Sequence, residues 1–325
     1  MILASLAVVS WSTVATAFKV ALQTMGAYEM LFVACATALI IYTIWMLATG
    51  SWHELRLLSP ALWSRFAILG LIAPVVYYLM LFKAYDLLPA QIAQPINYVW
   101  PILLAILIAV IEKKSIPKRK YFGMVVSLGG VVVISMGGSA ISGEISVTGI
   151  ILAVTSAMLW GIYWLINDSL KSKVSQIPAL FLTFLFGMAY LFIGNFFMPV
   201  SHLEPESLLA GMYIGAFEMG LPFICFGIAI RETNNPALIN QLCYLAPFLS
   251  LFFIDMVLEE PIVFTTYVGL AFIIGGIIFN QMKMPKSVTF KPRLRPRDTK
   301  SVDVGVQGKG GSGFGISTFF RYRDH

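Results

Sequence analysis

Apolar residues run along this chain in long stretches separated by short polar joints, without the strict alternation of strands or the one-sided stripe of soluble helices. Ten stretches stand out, at about 2–22, 29–48, 62–82, 90–111, 121–137, 147–167, 178–198, 207–229, 237–258 and 265–282. Most are long enough to cross a hydrocarbon core of about 30 Å at about 1.5 Å per residue. The stretch 121–137 is short, but its start at basic residues and its stop at Gly137-Gly138 mark it as a span. The first stretch lacks the basic region and small-residue cleavage site of a signal peptide and is read as helix 1. The pattern predicts an all-α integral membrane protein with ten transmembrane helices.

The chain also repeats itself at a period of about 146 residues. "YFGMVVSLGGVVVI" (121–134) aligns with "YVGLAFIIGGIIFN" (267–280), so that Tyr121, Gly123, Gly129 and Gly130 fall on Tyr267, Gly269, Gly275 and Gly276. Pro60 matches Pro205, Gly70 matches Gly215, and Pro89-Ala90 matches Pro236-Ala237. Each half holds five predicted helices, and an odd number makes the second half cross the membrane in the opposite sense. The expected architecture is therefore two inverted five-helix repeats, 1–138 and 147–283, followed by a basic, Gly-rich tail, 284–325, expected to be disordered. The glycines of helices 5 and 10 let helices approach closely, as a scaffold or a homodimer contact would need.

Composition agrees: 58% of the 325 residues are hydrophobic and 12% charged, too apolar for a soluble domain. With the N-terminus inside, the inner loops collect Arg56, Arg65, Lys113, Lys114, Lys118, Arg119, Lys120, Lys171, Lys173 and Arg231, while acids gather outside. The positive-inside rule then places both termini in the cytoplasm. The net charge of +6 is an orientation signal that calls for no nucleic-acid partner. Cys35, Cys225 and Cys243 lie in apolar stretches, and His53, His202 and His325 are scattered, so no metal or cofactor is expected.

Polar residues inside the spans carry the candidate chemistry. Gln94, Tyr98 and Pro101 fall at the repeat offset on Asn240, Tyr244 and Pro247, an amide, a tyrosine and a proline on a stripe about 60° wide. Gln91 joins the stripe and Asn97 lies on its shoulder. Two readings are open for such amides: helix-to-helix fasteners, or the wall of a cavity between the repeats. Pro101 and Pro247, in mid-helix, are expected to kink helices 4 and 9 at matched depths. Trp160, Tyr163, Trp164 and Asn167 share a face of helix 6, as an aromatic belt or a cavity wall. Glu218, deep in helix 8, is a candidate for a substrate ammonium or a proton; the alternative is a neutral hydrogen-bonded carboxyl or an ion pair to Lys19 or Lys83. Lys19 and Lys83 read as residues snorkelling to the outer interface, with Asp86 and Glu29 as surface partners.

With these residues in view, the two five-helix halves, the Trp11-Ser12-Thr13 start, "AQPINYVWP" and the Gly-Gly helices resemble the drug/metabolite transporter superfamily, with two EamA-type domains over residues 1–283. "NYVWP" is similar to the helix-4 segment of bacterial aromatic amino acid exporters. The resemblance implies a ten-helix fold in a bacterial cytoplasmic (inner) membrane and efflux of a small-molecule substrate through a central cavity. Gln91, Gln94, Asn97, Tyr98, Asn240, Tyr244, Trp160, Tyr163, Trp164 and Glu218 are taken as substrate-binding, and Pro101 and Pro247 as hinges. The expectation is a secondary transporter exporting small metabolites such as amino acids by alternating access. The competing readings are a membrane sensor or assembly protein, and an intramembrane enzyme for which no Walker A, HExxH or GxSxG sequence is present.

Overall fold

In the computed structural model, which describes residues 1–111, 113, 118–142, 145–198, 200, 204–232, 239 and 242–282, local sequence signals set where the helices begin and end. Helix α1 (Ile2–Leu22) gives way at Gln23, and α2 (Ala27–Thr49) starts where the Glu29 side chain accepts the Gly26 N–H at 2.9 Å. It stops at Gly50, whose φ of 67° is the left-handed cap that glycine adopts without cost. A short α3 (Trp52–Arg56) follows. Prolines preset the first turns of α4 (Pro60–Gly70) and α11 (Pro205–Ile214), where a missing N–H costs nothing.

Both α4 and α11 run into a wide, π-type turn, Leu71–Val76 and Gly215–Gly220 respectively, and continue as α5 (Tyr77–Leu87) and α12 (Leu221–Glu232). The remaining helices are α6 (Ala90–Asn97), α7 (Trp100–Ile111), α8 (Lys118–Ser142), α9 (Val147–Leu170), α10 (Gln176–Gly194), α13 (Ala246–Leu258) and α14 (Phe264–Gln281).

Seven helical segments are long and apolar enough to cross a bilayer: Ile2–Leu22, Ala27–Thr49, Pro60–Leu87, Ala90–Ile111, Val147–Asn167, Gln176–Gly194 and Pro205–Ala229. In the other three expected spans the described apolar helical stretch is shorter, Tyr121–Ile134 within α8, Cys243–Leu258 and Phe264–Asn280. The described residues contain no strand. Large apolar side chains point outward, among them Ile44 of α2, Phe192 of α10 and Phe197 in the turn after α10, the last 83% exposed. Such a surface suits lipid and would be costly in water.

Residues Met1–Gln281 form one packed unit in which helices of one half find their main partners in the other. Helix α1 packs on α12 and α13, while its repeat counterpart α9 packs on α5 and α7. Helix α2 packs on α10, and α8 on α14. The last pair is antiparallel: a Cβ on Gly130 would lie 2.4 Å from Gly269 O, and one on Gly123 2.8 Å from Gly276 O. Ser127 Oγ donates to Ile273 O at 2.8 Å in the same seam. These glycines therefore bring two backbones of one chain together, whereas Gly129 and Gly275, on the other side, meet open space.

The structure changes the expected role of the prolines in two places. The fourth apolar stretch is interrupted at Tyr98–Val99, and Pro101 is the second residue of the renewed helix α7. Pro247 likewise sits second in α13, after a tight 3₁₀ turn at Cys243–Leu245. Both prolines stand where a helix begins and its N–H groups are unpaired anyway, so neither breaks a continuous helix in its interior. The basic tail, 284–325, lies outside the described residues.

Candidate functional site

Glu218 is placed by the wide turn of the eighth apolar stretch. Gly215 starts that turn, and a Cβ on it would lie 2.4 Å from Ala34 O, so the turn presses against α2. Its carbonyls accept side-chain donors from other helices: Trp11 Nε1 donates to Glu218 O at 3.3 Å, and the fully buried Tyr42 Oη donates to Met219 O. A wide turn offsets the regular ladder, and such donors satisfy carbonyl groups that lipid cannot. One turn further on, Gln176 Nε2 donates to Phe223 O at 2.6 Å, over the bare backbone of Gly227.

Glu218 is only 9% exposed, and among the described residues its carboxylate accepts a hydrogen bond from Tyr78 Oη at 3.1 Å. Neither expected lysine reaches it. Lys19 Nζ donates to Tyr85 O at 2.8 Å and Leu88 O at 3.2 Å, closing the C-terminal end of α5, where a cation suits the helix dipole. Lys83 pairs with Asp86 on the surface. Lys19 thus directs its hydrogen bonds to backbone carbonyls, with the Glu260 and Asp86 charges near it, while Glu29 caps its own helix.

Aromatic rings gather round the acid. Tyr77 stacks on Trp160 with ring centroids 4.7 Å apart, and Trp160 stacks on Tyr163 at 5.3 Å. Trp164 meets Trp160 edge-on at 5.8 Å. Tyr78 lies 6.5 Å from Trp160, Trp160 5.8 Å from Phe223, and Phe223 6.1 Å from Trp11. Thus Trp160, Tyr163, Trp164 and Glu218, four of the residues expected at the site, share one cluster contributed by both halves of the sequence. Tyr77, Tyr78 and Phe223 join the site without being among the residues expected there, and so does the bond from Trp11 to the acidic turn. The Tyr77-Tyr78 pair following Pro74 was a visible signal, but its pairing with Glu218 spans 140 positions.

The amides of α6 are each tied to a neighbouring helix. Asn97 Oδ1 accepts from Tyr77 Oη at 3.3 Å, and its Nδ2 donates to Ser156 Oγ at 3.0 Å, which links α6 to the aromatic cluster. Gln94 Oε1 accepts from Ser250 Oγ of α13. Gln91 stands apart, at the far end of the helix. Its Nε2 donates to Pro261 O at 2.9 Å, and its Oε1 accepts from Thr266 Oγ1 at 2.8 Å and Val263 N at 3.2 Å. Beside it the Glu260 carboxylate accepts the N–H groups of Ala90 at 3.2 Å and Gln91 at 3.4 Å, an anion on a helix N-terminus. Tyr98, half-buried, and Tyr244, buried, sit at the interruptions that precede α7 and α13. Asn240 lies outside the described residues. Among the described residues no group of three or more His, Cys, Asp or Glu could hold a metal ion.

Comparison with known proteins gives this arrangement a family. The model of the EamA-like transporter family matches residues 1–136 and 147–282. YvbV of Bacillus subtilis, an uncharacterized transporter, is 24% identical over 229 residues, covering 69% of this chain and 73% of that protein. An uncharacterized transporter of Clostridium kluyveri is 27% identical over 190 residues, 56% of this chain and 60% of that one, so the match spans less than two thirds of the second relative. A crystal structure superposes with a TM-score of 0.62 over 86% of this chain and 94% of its own, at 21% identity, which speaks for the fold alone. Family and relatives point to a transporter and away from an enzyme. With both halves matched, the chain belongs to the EamA-like transporter family of the drug/metabolite transporter superfamily and is a multi-pass membrane transporter.

Proposed function

We propose that the protein exports small metabolites such as amino acids across a bacterial cytoplasmic membrane, by alternating access between two inverted five-helix repeats with both termini cytoplasmic. The observation that carries this reading is the convergence of polar and aromatic groups from both halves on Glu218, inside a span of otherwise apolar residues. An acid at that depth is costly unless it has a task. The paired packing supports the inverted repeat: α1 on α12 and α13 corresponds to α9 on α5 and α7. Two halves related in this way can rock about a shared centre. The interruptions before α7 and α13 fall at matching places, next to Tyr98 and Tyr244, and offer backbone groups and hinges on either side of that centre.

Purified protein reconstituted into liposomes preloaded with labelled amino acids tests the proposal. Release above that of protein-free liposomes, accelerated by unlabelled amino acid outside and lowered at least about tenfold by joint Tyr98→Ala and Gln94→Ala replacement, is expected. Release no faster than from protein-free liposomes for all amino acids would reject it, and release indifferent to the double replacement would remove α6 from the pathway.

A further inference from the structure

Helix α13 is a rod between two joints. It begins after the tight 3₁₀ turn at Cys243–Leu245 and stops at Leu258, where Glu259 takes φ 52° and ψ 27°, a left-handed conformation that glycine alone adopts freely. Past that second joint the chain is fixed to the other half. Glu260 accepts the N–H groups of Ala90 and Gln91, and the Gln91 amide holds Pro261 O, Val263 N and Thr266 Oγ1. The rod itself is tied more lightly. Among the described residues a single polar side-chain bond joins α13 to another helix, from Ser250 Oγ to Gln94 Oε1 of α6. The rest of its packing, chiefly on α1, lacks such a bond among the described residues.

Both residues of that bond are buried, and the serine has a second acceptor: its Oγ also donates to Pro247 O, at 2.8 Å, one turn back in its own helix. A hydroxyl has one proton, so the bond to Gln94 can be given up for the one to Pro247 without leaving a donor unpaired in an apolar setting. The inner end of the bundle cannot copy this device. At the repeat offset Ser250 falls on Leu104 and Gln94 on Asn240. Leu104 has no hydrogen-bonding side chain. Buried in α7, it packs against the bare backbone of Gly161 in α9, where an added Cβ would lie 3.2 Å from Leu104 Cβ. Closure by α13 thus has a polar latch that closure by α7 lacks.

We propose that α13 is the outer gate of the transport pathway, with Ser250 and Gln94 as its latch and with the Cys243–Leu245 turn and Glu259 as its joints. Opening moves the rod and turns the serine O–H from Gln94 to Pro247, while the Glu260 and Gln91 bonds past the second joint stay in place. A directional bond biases the empty protein toward the state closed on the outer side, because apolar contacts between helices in lipid give no comparable preference. The inner end then opens more readily, which is the bias an exporter loading from the cytoplasm needs. This deepens the proposed function, on which it rests, by naming the gate and the resting state.

Thiol labelling of the full-length protein in detergent micelles reads the opening separately from transport. In a background with Cys35, Cys225 and Cys243 replaced by alanine, Ile254→Cys puts a thiol on the buried face of α13 one turn beyond Ser250, and Leu182→Cys puts one in the buried part of α10. Under dilute maleimide each thiol reacts at a rate proportional to the fraction of time it is exposed. Ser250→Ala is expected to raise the Ile254→Cys rate about threefold to twentyfold, the worth of one interhelical bond in a membrane, and to leave the Leu182→Cys rate within about twofold. Gln94→Leu should act alike, and the two together should add little beyond either. Ser250→Thr, which keeps the hydroxyl, should hold the rate within about twofold of the background. An unchanged Ile254→Cys rate in either Ser250→Ala or Gln94→Leu, or a rise matched at Leu182→Cys, overturns the proposal. Should one of the two variants fail to fold, the other decides. A raised rate with no amino acid release from wild-type liposomes would remove the exporter reading and leave α13 as a latched arm; release with an unchanged rate would do the reverse.

Discussion

Replacing Gln91 by leucine separates a fastener from a ligand group at one position. The side chain is fully buried, and leucine keeps nearly its volume, so the change removes hydrogen bonds with little loss of packing. Three bonds go: from Nε2 to Pro261 O, and to Oε1 from Val263 N and Thr266 Oγ1. Pro261 is exposed, and its carbonyl can turn to water, so its loss adds little. Thr266 is fully buried and Val263 half-buried, so two donors are left unpaired in an apolar setting. At about 0.6 to 1.7 kcal/mol for an interhelical bond in a membrane, and about 1 to 3 for an orphaned buried donor, the cost is about 2–3 kcal/mol. For a unit of this size each kcal/mol moves the midpoint by about 2–4 °C, which predicts a fall of about 5–10 °C. Fluorescence-monitored thermal unfolding in detergent reads the shift, and liposome transport of the surviving protein reads KM. A KM within about threefold of wild type is expected, because both ends of the amide are occupied by protein. An unchanged midpoint with KM raised about tenfold would refute the reasoning and return Gln91 to the substrate face.

Adjacent glycines in α8 should respond with opposite sign. Gly129→Ala, with open space around its new methyl, is expected to raise the midpoint slightly, whereas Gly130→Ala, whose methyl would lie 2.4 Å from Gly269 O, should lower it by several degrees. Tyr42→Phe removes the hydroxyl that serves Met219 O and should cost about 1–3 kcal/mol in the same thermal assay. Glu54→Gln weakens the acceptor that holds Ser175 N at 3.1 Å and Ser175 Oγ at 2.7 Å at the start of α10; a loss of about 1 kcal/mol is expected by urea titration in mixed micelles. Lys83→Ala breaks an ion pair between half-exposed side chains and should leave the midpoint within about 1–2 °C.

Much of the helical layout is legible in the sequence because a bilayer imposes a uniform demand: about twenty apolar residues per crossing, with polar joints between. Pro60 and Pro205 mark helix starts, Gly50 marks a stop, and Gly70 and Gly215 mark where matched helices meet their neighbours, since proline geometry and the absence of a Cβ act locally. Glu218 was visible as an acid out of place in an apolar stretch, whatever the fold. The stripe that joined Gln91, Gln94, Tyr98 and Pro101 assumed an unbroken helix; Tyr98 still closes α6 with its N–H on Gln94 O, the interruption at Tyr98–Val99 separates Pro101 from the other three, and tertiary contacts send the two glutamines to different partners.

The apolar stretches, the duplication and the acid set within one of those stretches can be read from the chain alone, because each rests on residue character or on comparison of the chain with itself. That Tyr78 holds Glu218, that Trp11 reaches its carbonyl and that Trp160 turns inward among other rings emerges only once the helices pack together. The physical reason is that an apolar helix in lipid gives little signal of its rotation about its own axis. Which side chains face one another is set by close packing between helices more than 100 positions apart in the chain, as the 140-residue separation of Tyr78 and Glu218 shows.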